Sequence, residues 1–196
     1  KALRDELEGI GVTFTTQSDT EVLLNAYNEF YSGCLNKLRG MFAFIIVDFY
    51  KGEVFAARDH FGIKPLYYTN IGSAQKPQML FASEIKTLLA TKKVEAKPND
   101  KQVYRYLRFR IHEDSRETFF DGIYKLLPGE MMVVHAKGLH QSHFSNLEEE
   151  FAQAAKVNRP YTDAETEKYR QKLEDSIRIR LISEVPVGTC LSGGLD

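Results

Sequence analysis

A chain of 196 residues with a formal net charge of −1 and 43% hydrophobic content can bury one substantial core and part of a second. That charge gives no electrostatic case for nucleic acid or an anionic membrane, and no apolar run nears the roughly 20 residues that span a bilayer. Its two cysteines, Cys34 and Cys190, with no signal-like start, favour a reducing cytoplasm over a disulfide framework.

In chain order, Ala2 to Glu8 read as a helix stopped by Gly9 and Gly11. The first residue is Lys1 rather than Met with a helical pattern already running, so the N-terminus reads as truncated. Val12 to Thr15 predict a short strand. Ser18-Asp19-Thr20-Glu21 spell a capping box, in which Ser18 accepts from the Glu21 backbone and Glu21 reaches back. The helix it opens carries Val22, Leu23, Ala26, Tyr27 and Phe30 on one face, and Leu35 and Leu38 belong to a short helix after it. Met41 to Phe49 is apolar at both parities and predicts a strand covered on both sides. Lys51-Gly52 turns it back into Glu53 to Arg58 as an antiparallel partner.

Pro65 to Tyr68 and Met79 to Ala82 are the next strands. Ser83 is expected to cap a helix through Glu84, Lys86 and Leu89, and Asn99 or Asp100 another from Val103 to Phe109. Pro128-Gly129 turns into the strand Glu130 to His135, and Lys137-Gly138 into a strand from His140 to Phe144. The polar stretch Ser145 to Pro160 reads as a linker. Asp163 is expected to cap a long helix through Tyr169, Leu173, Ile177 and Leu181 that ends before Pro186. Here hairpins give way to a helix and then a buried strand, Val185 to Cys190, which places a domain boundary between Leu147 and Tyr161.

That strand feeds Leu191-Ser192-Gly193-Gly194-Leu195-Asp196. A strand running into Ser-Gly-Gly suits phosphate, because glycines leave backbone N–H groups unshielded. No Gly-Lys-Ser/Thr follows, so this is not a Walker A loop, and a third glycine is missing for the dinucleotide fingerprint. A plain Gly-Gly turn is the alternative. Ser192-Gly193-Gly194-Leu195-Asp196 resembles the pyrophosphate loop of the ATP pyrophosphatase family. By that resemblance Ser192, Gly193 and Gly194 cradle pyrophosphate, Asp196 sits close to its magnesium, and Leu191 offers a backbone carbonyl near adenine or ribose.

Further blocks sharpen the resemblance. Ser18 to Val22, then Leu38-Arg39-Gly40-Met41-Phe42-Ala43-Phe44, then Arg58 to Tyr68, resemble class II glutamine amidotransferase domains. With Phe81 to Lys86, Leu127-Pro128-Gly129 and the C-terminal loop in order, the chain resembles the glutamine-hydrolysing asparagine synthetase family from Gly9 to Asp196. The resemblance implies an α+β fold: a four-layer αββα sandwich of N-terminal-nucleophile hydrolases, then the first helix and strand of an α/β ATP-pyrophosphatase domain. The expected divisions are 1–150 for the glutaminase domain, 151–162 for a linker and 163–196 for the start of the synthetase domain.

The implied chemistry has two steps. An N-terminal cysteine, expected upstream of Lys1, attacks the glutamine side-chain amide with its own amine as base, and the thioester hydrolyses. The ammonia travels, shielded from water, to an aspartate side chain that Mg·ATP has adenylated, giving asparagine, AMP and pyrophosphate. No cofactor beyond ATP and Mg2+ is implied, and family members are often dimeric. Asp19 matches the carboxylate that pairs with the α-amine of glutamine, although an Asp in a first helical turn is also favoured by the helix dipole alone. No catalytic residue is expected within these 196 residues, and the chain alone is expected to catalyse neither half-reaction.

Other features read as structural. Arg58 and Asp59 are expected to form a pair beside the pocket, and Gly62 to supply a turn. Glu84 and Lys86 read as an exposed helix start, with a place beside the ammonia path as the alternative. His140 and His143 lie three apart on a strand and face opposite sides, so with His135 they make a poor metal site. Cys34 and Cys190 read as packing residues. Tyr104 to Arg110 reads as one amphipathic helix rather than a single-strand nucleic-acid platform. Two other classes stay open: a related ATP-dependent amidotransferase of the β-lactam-synthetase or sugar- or peptide-amidating kind, and a non-enzymatic glutamine-binding scaffold.

Overall fold

The computed structural model describes residues 1–156, 162–183, 185–188 and 193. The chain divides into two units, Lys1–Glu148 and Glu149–Asp196.

The first unit opens with α1 (Ala2–Gly9) and α2 (Asp19–Phe30), followed by a 3-10 turn over Tyr31–Lys37. Strands β1 (Ala43–Asp48), β2 (Glu53–Arg58), β6 (Glu130–His135) and β7 (Gly138–His143) form one antiparallel sheet in the order β1-β2-β6-β7. A second antiparallel sheet has the order β4-β3-β5, from β3 (Tyr67–Asn70), β4 (Met79–Ala82) and β5 (Tyr124–Lys125). Helices α3 (Ile85–Ala90) and α4 (Asp100–Phe109) follow β4.

The layers follow from strand alternation. On β2, Phe55 and Ala57 point to one side and pack with Leu7, Ala26, Tyr27 and Leu35 of the helical layer. Ala56, one residue out of phase, points the other way and packs with Leu66, Tyr68 and Leu126 of the second sheet, joined by Met132 and Val134 of β6. The centre of the first sheet, β2 and β6, is thus buried between a helical layer and the second sheet, and α3 packs on β3 and β4 of the second sheet to complete the αββα arrangement. Phe55 and Leu7 are 0% exposed, and each contributes about 1.5–3 kcal/mol by burial. The Tyr27 hydroxyl lies 3.1 Å from Asp48 Oδ2 and 3.0 Å from Glu53 Oε1, tying α2 to the β1–β2 hairpin. Burial and those two carboxylates push its pKa far above the ordinary phenol value. Between the sheets, buried Glu130 accepts from Arg116 at 2.7 Å, and Arg116 also donates to the Tyr68 hydroxyl at 3.0 Å.

Several expectations are corrected. Residues 12–15 form no strand: the Glu21 carboxylate takes the backbone N–H groups of Thr15 and Thr16 and leaves no ladder for a strand to join. For the same reason Glu21 does not close a capping box; Ser18 is the N-cap but accepts from Thr20 N. The β1 strand is not covered on both sides, since it is a sheet edge with Ile45 40% and Val47 54% exposed. Glu84, not Ser83, is the α3 N-cap, without a side-chain bond. Asn99 caps α4 by accepting from Gln102 N. That helix is amphipathic as expected, yet Tyr104, Leu107 and Phe109 are exposed.

In the second unit and at its junction, α5 (Leu147–Ala154) is helical where a linker was expected. Helix α6 (Asp163–Arg180) is capped by Thr162, not Asp163: Thr162 Oγ1 accepts from Glu165 N, and the Glu165 carboxylate accepts from Thr162 N. Residues 185–188 are not in a strand, and Val185 and Val187 are exposed, because no partner strand pairs with them among the described residues. Thr189 and Cys190 lie outside the described residues.

Candidate functional site

An open cleft of about 740 Å³ lies where three elements of the first unit meet. The first turn of α2 supplies Asp19, Thr20 and Leu23 to one wall, and residues 38–44 supply the opposite wall. The loop after β2 brings Lys64 and Pro65, and Ser83 follows the end of β4. Phe42, Phe44 and Leu23 make the cleft apolar in part, while Asp19, Arg39 and Lys64 give it charges of both signs.

The two acids of the α2 first turn do different work. Glu21 is consumed locally: its oxygens accept from Thr15 N at 2.8 Å and Thr16 N at 2.7 Å, and from both threonine hydroxyls. Those bonds, the Thr15 backbone first, hold its carboxyl down to about 2. Asp19 lines the cleft and makes no hydrogen bond or ion pair with any described residue.

The opposite wall is held by Asp59, which is fully buried. Its Oδ1 accepts from Phe61 N at 3.1 Å and Ile63 N at 3.0 Å, and its Oδ2 from Lys64 N at 3.0 Å and Phe42 N at 3.2 Å. Arg58 does not pair with it, contrary to expectation. The guanidinium instead donates to the carbonyls of Lys64 at 2.8 Å, Leu126 at 2.7 Å and Gly62 at 2.5 Å. The backbone of Lys64 is therefore gripped at both its N–H and its C=O, which sets Lys64 and Pro65 at the cleft rim. Gly62, at φ +62, makes the expected turn; a Cβ there would lie 2.8 Å from Pro128 Cγ.

The glutamine amidotransferase domain family matches residues 1–145, most of the chain. The chain belongs to that family. The asparagine synthase family matches residues 168–196. Glutamine-hydrolysing asparagine synthetase 1 of Bacillus subtilis is 38% identical over 199 residues, covering 99% of this chain and 29% of its own. The amidase chry2 of Gibberella zeae is 34% identical over 197 residues, covering 99% of this chain and 27% of its own. The chain thus spans less than a third of the length of these relatives. Among solved structures, the Bacillus subtilis glutamine phosphoribosylpyrophosphate amidotransferase superposes with a TM-score of 0.51 at 24% identity, over 74% of this chain and 26% of that one. That likeness carries the fold, an N-terminal-nucleophile-hydrolase sandwich in the first unit.

Of the glutamine amidotransferase residues expected from sequence, Asp19 is on the cleft. Leu191, Ser192, Gly194 and Asp196 lie outside the described residues; Gly193 has φ +80 with open space where a Cβ would be. Glu84 and Lys86 form an exposed ion pair away from the cleft lining. Cys34 is buried, and burial pushes its thiol up to about 11, as suits a packing residue. No three His, Cys, Asp or Glu side chains gather as metal ligands among the described residues. Sequence reading missed Arg39, Lys64 and Ser83 as cleft residues. Arg39 and Lys64 stood inside the motifs that marked the family, but 25 positions separate them and only the fold joins the two segments.

Proposed function

We propose that the cleft binds glutamine and that the chain is part of a glutamine-dependent asparagine synthetase. Asp19 carries this reading: a carboxylate without a partner among the described residues, on a part-apolar cleft in the amidotransferase family, is placed to accept the α-ammonium of an amino acid. The positive end of α2 favours an anionic side chain there. Lys64, backbone-clamped at the rim, adds the opposite charge that a zwitterion calls for, and Leu23, Phe42 and Phe44 shed water from its aliphatic stem.

In this reading glutamine is hydrolysed in the first unit and its ammonia aminates an aspartate side chain activated by Mg·ATP. The match of 168–196 to asparagine synthase supports the second half. Ser192, Gly193, Gly194 and Asp196 would take the pyrophosphate and its magnesium, and Leu191 the nucleoside. The left-handed φ of Gly193 suits such a loop. The protein works in the cytoplasm as a homodimer on glutamine, aspartate and ATP, without nucleic acid; no described helix is long and apolar enough to cross a membrane. In this reading its functional parts are 1–150, 151–162 and 163–196, and α5 spans the first boundary.

The full-length protein tests this directly. Glutamate release from glutamine, and pyrophosphate release that requires aspartate, are both expected. Pyrophosphate release that ignores aspartate but answers to another carboxylate would favour the second reading, an amidotransferase with a different acceptor. Similarity to the Gibberella zeae amidase is the observation behind that alternative.

A further inference from the structure

A second cavity, of about 80 Å³, lies apart from the glutamine cleft, between α4 and the segment leading to β5. That volume is several times the roughly 10–15 Å³ that one water needs. Lys125 lines it and is 5% exposed. A buried ammonium must be met by an anion. Its one described partner is Glu113, whose Oε2 accepts from Nζ at 2.7 Å while the side chain stays 68% exposed. The carboxylate bonded to this buried lysine thus sits on a solvated side chain, and Asp114 is a second negative charge in electrostatic reach.

Gln102 and Glu117, two other polar groups of the cavity, are engaged with protein partners. Gln102, 2% exposed, donates to Ser115 Oγ at 3.2 Å and Glu117 Oε2 at 2.8 Å, and Glu117 is also paired with Lys101 at 3.0 Å. Opposite them, Ile85, Phe119 and Phe120 give an apolar wall. One unsaturated cation beside a small apolar pocket suits a carboxylate head on a short aliphatic tail.

We propose that this cavity is a binding site for a small carboxylate, which displaces Glu113 and docks its head on Lys125 Nζ with its tail on Ile85 and Phe119. Glu113 then acts as a tethered competitor for its own site.

The probe is sodium acetate, titrated into the protein by calorimetry with sodium chloride balancing ionic strength. Saturable acetate binding is expected in the native protein. Glu113→Gln removes the competing charge and should tighten it by about ten-fold, the size of one charge-assisted hydrogen bond. Lys125→Met should abolish it. The proposal is overturned if Glu113→Gln shows no saturable acetate binding, if chloride competes as well as acetate, or if Lys125→Met still binds. Should Lys125→Met fail to fold, the native and Glu113→Gln titrations decide alone.

Discussion

Arg58 and Asp59 are neighbours in sequence and do not pair; they hold the same loop from opposite chemical sides. Arg58 collects carbonyl oxygens from Gly62, Lys64 and Leu126, and Asp59 collects N–H groups from Phe42, Phe61, Ile63 and Lys64. Arg58 ends β2 and Asp59 opens the loop after it, and each finds backbone rather than the other. The loop they hold supplies Lys64 and Pro65 to the rim of the cleft that also carries Asp19.

Asp59→Ala strips four N–H groups of their acceptor in a fully buried position. Urea denaturation should show a loss of about 3–5 kcal/mol. A loss below about 1 kcal/mol would mean that water replaces the carboxylate and the clamp is not needed.

Arg58→Lys keeps the charge but cannot span three carbonyls, since only a guanidinium presents a planar fork of donors. It should cost about 1–2 kcal/mol in the same assay. Gly62→Ala should cost at least as much, because the added Cβ meets Pro128 Cγ at 2.8 Å in a left-handed turn.

Asp19→Asn touches no protein partner among the described residues, so the melting temperature should stay within a degree or two. The KM for glutamine in the full-length protein should rise about ten- to hundred-fold. Synthesis driven by added ammonia should be unchanged, which separates glutamine binding from the ATP half of the reaction. An unchanged KM would remove Asp19 from the site.

Glu21 predicts a pH dependence. Its carboxyl lies at about 2 in the folded chain against an ordinary 4.5, a depression caused first by the Thr15 backbone N–H. A depressed acid contributes stability that is fully present above the unfolded value and lost as pH falls through the folded one. Melting curves of native protein and Glu21→Gln should therefore differ at neutral pH and converge between about 4.5 and about 2. Parallel curves across that range would show that the Thr15–Thr16 contacts do not form in solution.

Burial pushes the Cys34 thiol up from the ordinary 9.0 to about 11. Iodoacetamide should label it roughly a hundred-fold more slowly in the native protein than in urea, as peptide mass spectrometry can follow. Rapid native labelling would place the thiol at the surface.

Much was legible in the sequence where a local rule was enough. The hairpins at Gly52 and Gly138, the α2 face of Ala26 and Tyr27, and the burial of Cys34 follow from turn chemistry and periodicity. The motifs from Ser18 to Tyr68 identified the amidotransferase family and put Asp19 forward before any geometry was known. The errors arose where a side chain had two partners to choose from. Glu21 chose the segment before the helix over its own cap, and that choice also cost residues 12–15 their strand. Ile45 and Val47 have the pattern of a covered strand, but whether a neighbour covers them depends on sheet order, which no local pattern contains.

Residue type, spacing and motif order thus determined the family and the alternation of the strands, and put forward Asp19, which lines the cleft. Only the tertiary structure decided that Arg39 and Lys64 share a cleft with Asp19, that Arg58 and Asp59 bind backbone instead of each other, and that Lys125 is buried against a solvated Glu113. The physical reason is range. Periodicity and capping act over a few residues along the chain, whereas a cleft, a clamp and a buried charge are made by segments that only packing brings within hydrogen-bond distance.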